Sequence, residues 1–222
     1  MKLLQMKVRL AVLFLLIALV FVIKFPNPVL GVSGNIDRLE GSNRYETAVA
    51  ISQKGWPTTS DYAVLVRGDD FADGLCAVPL ADKFDAPILM TRTERLTKVS
   101  LNELKRLGVK HVLIAGGNAA VSPQVEQDLA QAGIKDIRRF EGRDRYETSV
   151  LIARELSSST VVLTTGEKFP DALSISVPAA QLGMPILLTR QNALPDTVKA
   201  YFETALPATT YLVGGEGVIG GS

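Results

Sequence analysis

The chain is written twice. The run Arg38-Leu-Glu-Gly-Ser-Asn-Arg44-Tyr45-Glu46-Thr47-Ala-Val-Ala-Ile51 returns as Arg139-Phe-Glu-Gly-Arg-Asp-Arg145-Tyr146-Glu147-Thr148-Ser-Val-Leu-Ile152, with nine of the 14 positions identical at an offset of 101. Further on, Phe71-Ala-Asp73 matches Phe169-Pro-Asp171, Pro87–Arg92 matches Pro185–Arg190, and Ile114-Ala-Gly116-Gly117 matches Leu212-Val-Gly214-Gly215, all at an offset of 98. Three residues therefore drop out of the second copy near positions 52–61. A duplication of this length means one folding unit used twice, and any fold assigned to the chain has to satisfy both copies. The first unit is read as residues 35–137 and the second as 138–222.

Each copy alternates short apolar runs with helical patterns. In the first, Asn35–Leu39 reads as a short strand. Asn43–Lys54 reads as a helix, with Ser42 or Asn43 to cap its start and Gly55 its end. Strands follow at Tyr62–Val66, Ala86–Thr91, His111–Ala115 and Ile134–Phe140. Helices lie between them at Phe71–Lys83, Val99–Leu107 and after Ser122-Pro123, the last two stopped by Gly108 and Gly133. The strands are unbroken apolar runs, so both sheet faces should be covered. This predicts an α/β architecture with a mostly parallel sheet and right-handed crossovers. Ser122 aligns with Gly220, and the sequence stops at Ser222 before any counterpart of the helix Pro123–Ala132. The expectation is an uncovered sheet face, and from it a truncated chain or a covering partner.

Ahead of the repeats, Lys2, Lys7 and Arg9 precede 14 consecutive apolar residues, Leu10–Ile23, closed by Lys24. That run is shorter than the roughly 20 residues of a membrane-spanning helix. A basic start followed by a short apolar core and small residues is the pattern of a secretory signal peptide. Residues 1–31 are read so, with an uncleaved anchor as the alternative, and the rest is expected outside the cytoplasm. Beyond residue 31 there are 20 basic and 23 acidic residues, which disfavours a nucleic-acid partner. One His and one Cys exclude a Cys/His zinc cluster and an internal disulfide. Neither dinucleotide- nor P-loop-type glycine patterns occur, and no cofactor or metal is implied.

The candidate functional residues are the repeated charges. Arg44 and Arg145 start the Tyr-Glu-Thr helices, and Arg92 and Arg190 follow strand-end threonines. Ligands of open α/β sheets bind beyond the carboxyl ends of the strands, and arginine forks suit phosphate and carboxylate. The alternative for Arg44 and Arg145 is a structural ion pair with Asp73, Asp171 or a helix carboxylate; for Arg92 and Arg190 it is a solvated loop. Asp73 and Asp171 could cap the following helix, bind a metal through oxygen, or act as acid or base, and Asp69, Asp70 and Asp73 form a carboxylate cluster. Gly68, Gly166 and the Gly-Gly pairs suit tight turns or close approach to an anion. His111 reads as an ordinary edge residue, Cys76 as a small core residue, and Tyr45 and Tyr146 as packing residues with a polar tip.

The doubled pattern R-x-x-G-x-x-R-Y-E-T, G-x-x-F-x-D-x-L, P-I-L-x-T and G-G resembles the cell wall-binding repeat 2 family of Gram-positive surface proteins and autolysins, over about residues 36 to 222. The resemblance implies Toprim-like or Rossmann-like α/β modules, usually three in tandem about a pseudo-threefold axis. It also implies a secreted protein held non-covalently and without catalysis on an anionic wall polysaccharide or teichoic-acid-like polymer. The polymer-binding set would be Arg44, Arg92, Arg145, Arg190, Asp73 and Asp171. The alternatives are an envelope enzyme of the peptidoglycan-amidase type, supported only by Asp69, Asp70 and Asp73, and a fragment of a larger wall-binding protein.

Overall fold

Parallel strands buried on both faces dominate the computed structural model, which describes residues 36–220. The segment read as an export signal lies outside the described residues. Residues 36–38 carry no regular structure, and Leu39 onward forms a single unit.

In chain order the elements are α1 (Arg44–Gly55), β1 (Tyr62–Arg67), α2 (Ala72–Cys76), α3 (Val78–Lys83), β2 (Ile88–Thr91), α4 (Lys98–Leu107), β3 (His111–Ala115), α5 (Pro123–Gln131), β4 (Asp136–Phe140), α6 (Arg145–Leu156), β5 (Thr160–Thr165), α7 (Pro170–Gln181), β6 (Ile186–Thr189), α8 (Asp196–Ala205) and β7 (Thr209–Val213). They build two all-parallel sheets, ordered β2-β1-β3-β4 and β6-β5-β7. The expected α/β class with repeated parallel units is what the chain adopts. The strand β4 opens the second copy in sequence but completes the first sheet, pairing Ile114 with Arg139 and Ala115 with Phe140.

The strand expected at Asn35–Leu39 does not form over residues 36–40, which by the repeat are the counterpart of β4. Other details also differ from expectation. Gly55 lies inside α1, and Trp56 is the C-cap. The helix expected over Phe71–Lys83 breaks at Ala77 into α2 and α3. His111 sits on an internal strand rather than an edge, stacked on Tyr62 at 4.5 Å with its Nδ1 2.6 Å from Asp136.

The apolar strands serve two cores. Ala63, Leu65, Val112 and Ile114 face one side of the first sheet and pack with Leu104 and Leu107 of α4 and Val125 and Leu129 of α5. Val64, Val66 and Leu113 face the other side. There they join Leu80, Phe140, Ile152, Val161, Ile186, Leu187 and Tyr201 in one cluster shared by both copies. The two copies are therefore held together by core, not by a surface contact. Cys76 is fully buried in that cluster, and burial pushes its thiol well above the ordinary value.

The far edge is different. Tyr211 and Leu212 of β7 are 52% and 65% exposed, whereas their counterparts Leu113 and Ile114 are 3% and 0%. Among the described residues no helix follows β7, and Leu212 is exposed where its counterpart Ile114 packs with Val125 and Leu129 of α5.

The first pieces of the repeated motif act together. Asn43 and Asp144 cap α1 and α6 through their side-chain oxygens. Glu46 and Glu147 reach back to the backbone N–H of Ser42 and Arg143, completing the reciprocal cap. The glycine three residues after the first arginine lies directly on the helix start: its N–H donates to Thr47 Oγ1 from Gly41 and to Thr148 Oγ1 from Gly142. A β-carbon on Gly142 would stand 2.2 Å from the Thr148 nitrogen and 2.7 Å from the Asp144 carbonyl oxygen. These neighbours are backbone and cannot rotate away. Gly142→Ala should therefore lower unfolding free energy by about 2–4 kcal/mol, measured by urea denaturation of the whole chain. A change within experimental error would show that the helix start can slide.

Candidate functional site

The carboxyl ends of β1 and β2, and of β5 and β6, carry the repeated charges. The ladder continues one step past each pair, with Gly68 N–H donating to Thr91 O at 2.9 Å and Gly166 N–H to Thr189 O at 2.8 Å. Thr91 Oγ1 then donates to Arg95 O at 2.9 Å, and Thr189 Oγ1 to Ala193 O at 3.3 Å. The repeated threonine thus fixes the loop that bears Arg92 or Arg190. Both threonines are buried.

The tyrosine of the Tyr-Glu-Thr motif reaches the same place. A β-carbon on Gly68 would meet Tyr45 Cε1 at 2.6 Å, and one on Gly166 would meet Tyr146 Cε1 at 2.9 Å. Each glycine is there because a ring lies on it. The opposite partner of the ring is an arginine: Arg92 lies 5.6 Å from the Tyr45 centroid and Arg190 4.9 Å from that of Tyr146. Both arginines are exposed. In the first copy Arg92 and its ring border a cavity of about 560 Å³ lined by Arg44, Tyr45, Asp69, Arg92, Thr93, Glu94 and Arg95.

Arg44 and Arg145 are tied to the framework, each by an Nη1 donating to the carbonyl of the glycine under its tyrosine, Gly68 or Gly166, at 2.7 Å. Arg145 also donates to Asp70 of the first copy at 3.0 Å and lies 5.7 Å from the Phe71 centroid, so it bridges the copies. Arg145 thus makes an ion pair, but with Asp70, which precedes the helix, and not with Asp73, Asp171 or a helix carboxylate as the alternative had it.

Asp73 and Asp171 lie inside the first turns of α2 and α7, one residue or more past the N-caps Phe71 and Phe169, and neither caps a helix. The capping oxygen before α2 belongs to Asp70, which accepts from Ala72 N–H. The carboxylate cluster is also dispersed. Asp69 is held bidentately by Arg67 at 2.8 Å, Asp70 by Arg145, and Asp73 is turned inward beneath Gly116. Among the described residues no three His, Cys, Asp or Glu side chains are grouped to hold a metal ion.

Sequence reasoning missed Arg95, because a search for repeated charges discards a residue whose counterpart is Ala193. It also missed Arg67, whose counterpart is Thr165.

The cell wall binding domain 2 (CWB2) family matches residues 38–126 and 139–222. The chain belongs to that family. It is 38% identical over 161 residues to the amidase enhancer of Bacillus subtilis (strain 168), covering 72% of this chain and 22% of that protein. It is 35% identical over 186 residues to N-acetylmuramoyl-L-alanine amidase LytC of the same organism, covering 83% of this chain and 37% of the amidase. Among solved structures, Cwp6 from Clostridium difficile superposes with a TM-score of 0.78 at 32% identity, over 87% of this chain and 32% of that one. Cwp8 from Clostridium difficile gives 0.73 at 30% identity, over 82% and 31%. This CWB2 chain therefore spans well under half the length of these relatives, and what it shares with them is the cell-wall-binding part. Among its described residues no helix is long and apolar enough to cross a membrane.

Asp73 of this CWB2 chain is half-buried. Its Oδ1 is buried without a hydrogen-bond partner. Burial, and next the neighbouring Asp70, push its carboxyl up to about 6, against the opposing pull of Arg145 and Arg67. A carboxyl that binds its proton more tightly folded than unfolded favours the fold at low pH. That contribution is lost as pH rises from about 4 through about 6. Asp73→Asn should accordingly raise unfolding free energy at pH 7.5 by on the order of 2–3 kcal/mol, with the gain vanishing toward pH 4. Thermal denaturation across that pH range reads it; a pH-independent difference would contradict the assignment.

Proposed function

We propose that the chain binds an anionic cell-wall polymer non-covalently and without catalysis, and so anchors an exported protein to a Gram-positive envelope. The observation that carries the reading is the doubled arrangement of an exposed arginine over a tyrosine ring at the carboxyl ends of the strands, Arg92 on Tyr45 and Arg190 on Tyr146. In open parallel sheets this is where ligands sit, and guanidinium is the side chain best matched to phosphate and carboxylate. Family membership supplies the wall as the partner.

Arg92 and Arg190 contact polymer in this reading. Arg44 lines the first site, Arg145 positions the second, and Asp73 and Asp171 act beneath the sites rather than on the ligand. The names of the Bacillus subtilis relatives, an amidase and an amidase enhancer, suit a module that places a partner activity at the wall. A net acidic chain beyond residue 31 makes local arginine sites, not overall charge, the source of attraction.

Sedimentation with purified Gram-positive walls tests this. The protein should pellet with intact walls, less so as NaCl rises, and much less with walls from which acidic polymers have been extracted. Arg92→Ala with Arg190→Ala should weaken retention by about tenfold. Retention unaffected by salt and by both substitutions would contradict an arginine-borne site, and turnover of peptidoglycan by the chain alone would contradict a non-catalytic one.

A further inference from the structure

We infer that the second copy carries a subsite for an uncharged sugar at the amino ends of its strands, in a place that the first copy fills with its own chain. This site goes beyond the anionic-polymer reading, since it lies at the end of the sheet opposite the arginine-bearing loops and uses none of their residues.

A cavity of about 480 Å³ opens between the last turns of α6 and α8, ahead of β5 and β7. Its volume falls among those of small-molecule sites, roughly 300–1,000 Å³. The comparison between copies explains its origin. In the first copy this place holds the turn after α1 and the Glu103–Arg106 pair. Ser52 donates to Glu103 there, and Arg106 donates to the carbonyls of Trp56 and Pro57. The second copy lacks three residues of that connection. Ala153, Tyr201 and Thr204 stand at the positions of Ser52, Glu103 and Arg106, and all three line the cavity. Tyr201 does not refill the space, because it turns into the core shared by both copies and is only 2% exposed.

The walls are held in an unfavourable backbone conformation. Among the described residues three non-glycines have positive φ, and two of them, Ser157 at 52° and Leu206 at 45°, line this cavity as the residues that end α6 and α8. The counterpart of Leu206 is Gly108, which adopts φ 68° with no side chain to clash. The second copy instead keeps a leucine there, strained and 76% exposed. Strain of that kind collects where a ligand is held.

The lining selects against charge. Two helices end at the cavity with the partly negative ends of their dipoles, which disfavours an anion. Arg154, in the last turn of α6, is the one charged residue of the lining and already offsets those ends, which disfavours a cation. A neutral, hydrogen-bonding ligand remains. Ser157 Oγ donates to Arg154 O and Thr204 Oγ1 to Ala200 O, each at 2.8 Å, so their protons are committed and their lone pairs face outward demand. Ser158 Oγ accepts from Thr160 N–H at 3.3 Å and keeps a proton to donate. Ala205, Leu206 and Ala208 supply an apolar wall. Acceptors, donors and an apolar patch side by side match the hydroxyls and the C–H face of a pyranose ring.

Amide NMR of the isotopically labelled whole chain tests this, with maltotriose and chitotriose as neutral probes and trigalacturonate as the charged one. One or both neutral probes should shift the amides of residues 157–160 and 204–208 and leave those of Arg92 and Arg190 in place. Trigalacturonate should bind there at least about fivefold more weakly. Arg154→Ala should weaken the neutral probe about fivefold, and Thr204→Arg, which restores the first copy's side chain, at least as much. Both positions are exposed, so unchanged thermal midpoints will show that the variants are folded. No shifts with either neutral probe, shifts centred elsewhere, binding of trigalacturonate as tight as theirs, or titrations indifferent to Thr204→Arg would each overturn the inference. Sedimentation with walls does not depend on these outcomes, and Arg92→Ala with Arg190→Ala should leave the saccharide shifts intact, so the two readings fail separately.

Discussion

The ring of Tyr45 occupies space that a β-carbon on residue 68 would claim, and Tyr146 does the same at residue 166. This close approach joins three parts of the chain that are distant in sequence: the start of a helix, the end of one strand and the loop after its neighbour. The helix start is fixed by its own reciprocal cap and by a glycine pressed against its first turn. The arginine beside the tyrosine grips the carbonyl of the glycine beneath the ring. With the ring so placed, the next strand's loop can lay Arg92 or Arg190 over it. A side chain with a long flexible stem is thereby given a preferred position at modest entropic cost, which is what an exposed ligand contact requires.

The junction between the copies is built from the same parts with a different charge. Arg145 reaches across to Asp70 and lies beside Phe71, while Phe71 meets Phe169 edge-on at 5.7 Å. Arg44, its counterpart, is exposed and holds Gly68 O. The residue aligned with Asp70 is Lys168, so the bridge used between these copies could not be rebuilt on the second one by another arginine. From Phe169 along α7, Phe169, Leu173 and Val177 are exposed, whereas their counterparts Phe71 and Leu75 are half-buried and Pro79 is buried. Equivalent residues therefore do different work according to which copy carries them.

Much of this was legible in the sequence, for reasons that are specific. The offset repeats located both copies, and the unbroken apolar runs located strands that are covered on both faces. The Ser/Asn and Pro-Gly punctuation located most helix ends. What was not legible is what depends on pairing. Residues 36–40 and Asp136–Phe140 share a pattern, but among the described residues only the second is paired as a strand, against β3. Asp73 has a helix-capping residue type, yet the helix already begins at Ala72 after its N-cap Phe71, and the carboxylate that accepts from the first turn is that of Asp70. His111 reads as an edge residue until β4, which begins the next copy, is laid beside it.

The divergences between the copies are as informative as the identities. The three residues that separate the offsets lie between α1 and β1, among residues 56–61, and Arg106 holds the start of that stretch by donating to the carbonyls of Trp56 and Pro57. Arg106 is in turn anchored on Glu103, a carboxylate only 2% exposed that also accepts from Ser52 at 2.6 Å. Burial raises the Glu103 carboxyl, but Arg106 and Ser52 together bring it below its ordinary value, so it stays charged. In the second copy the turn is shorter, Arg106 is replaced by Thr204, and Tyr201 fills the place of Glu103. The insertion, the buried acid and its arginine thus form one unit, gained or lost together. The same logic applies at the strand ends. Arg67 with Asp69, and Arg95 with its neighbours, belong to the first copy alone, while glycine, tyrosine, threonine and the single loop arginine are common to both. Shared residues build the scaffold that presents an exposed arginine over a tyrosine ring. The residues confined to one copy adjust the charge around it, and a duplicated fold can in this way present two differently charged strand ends.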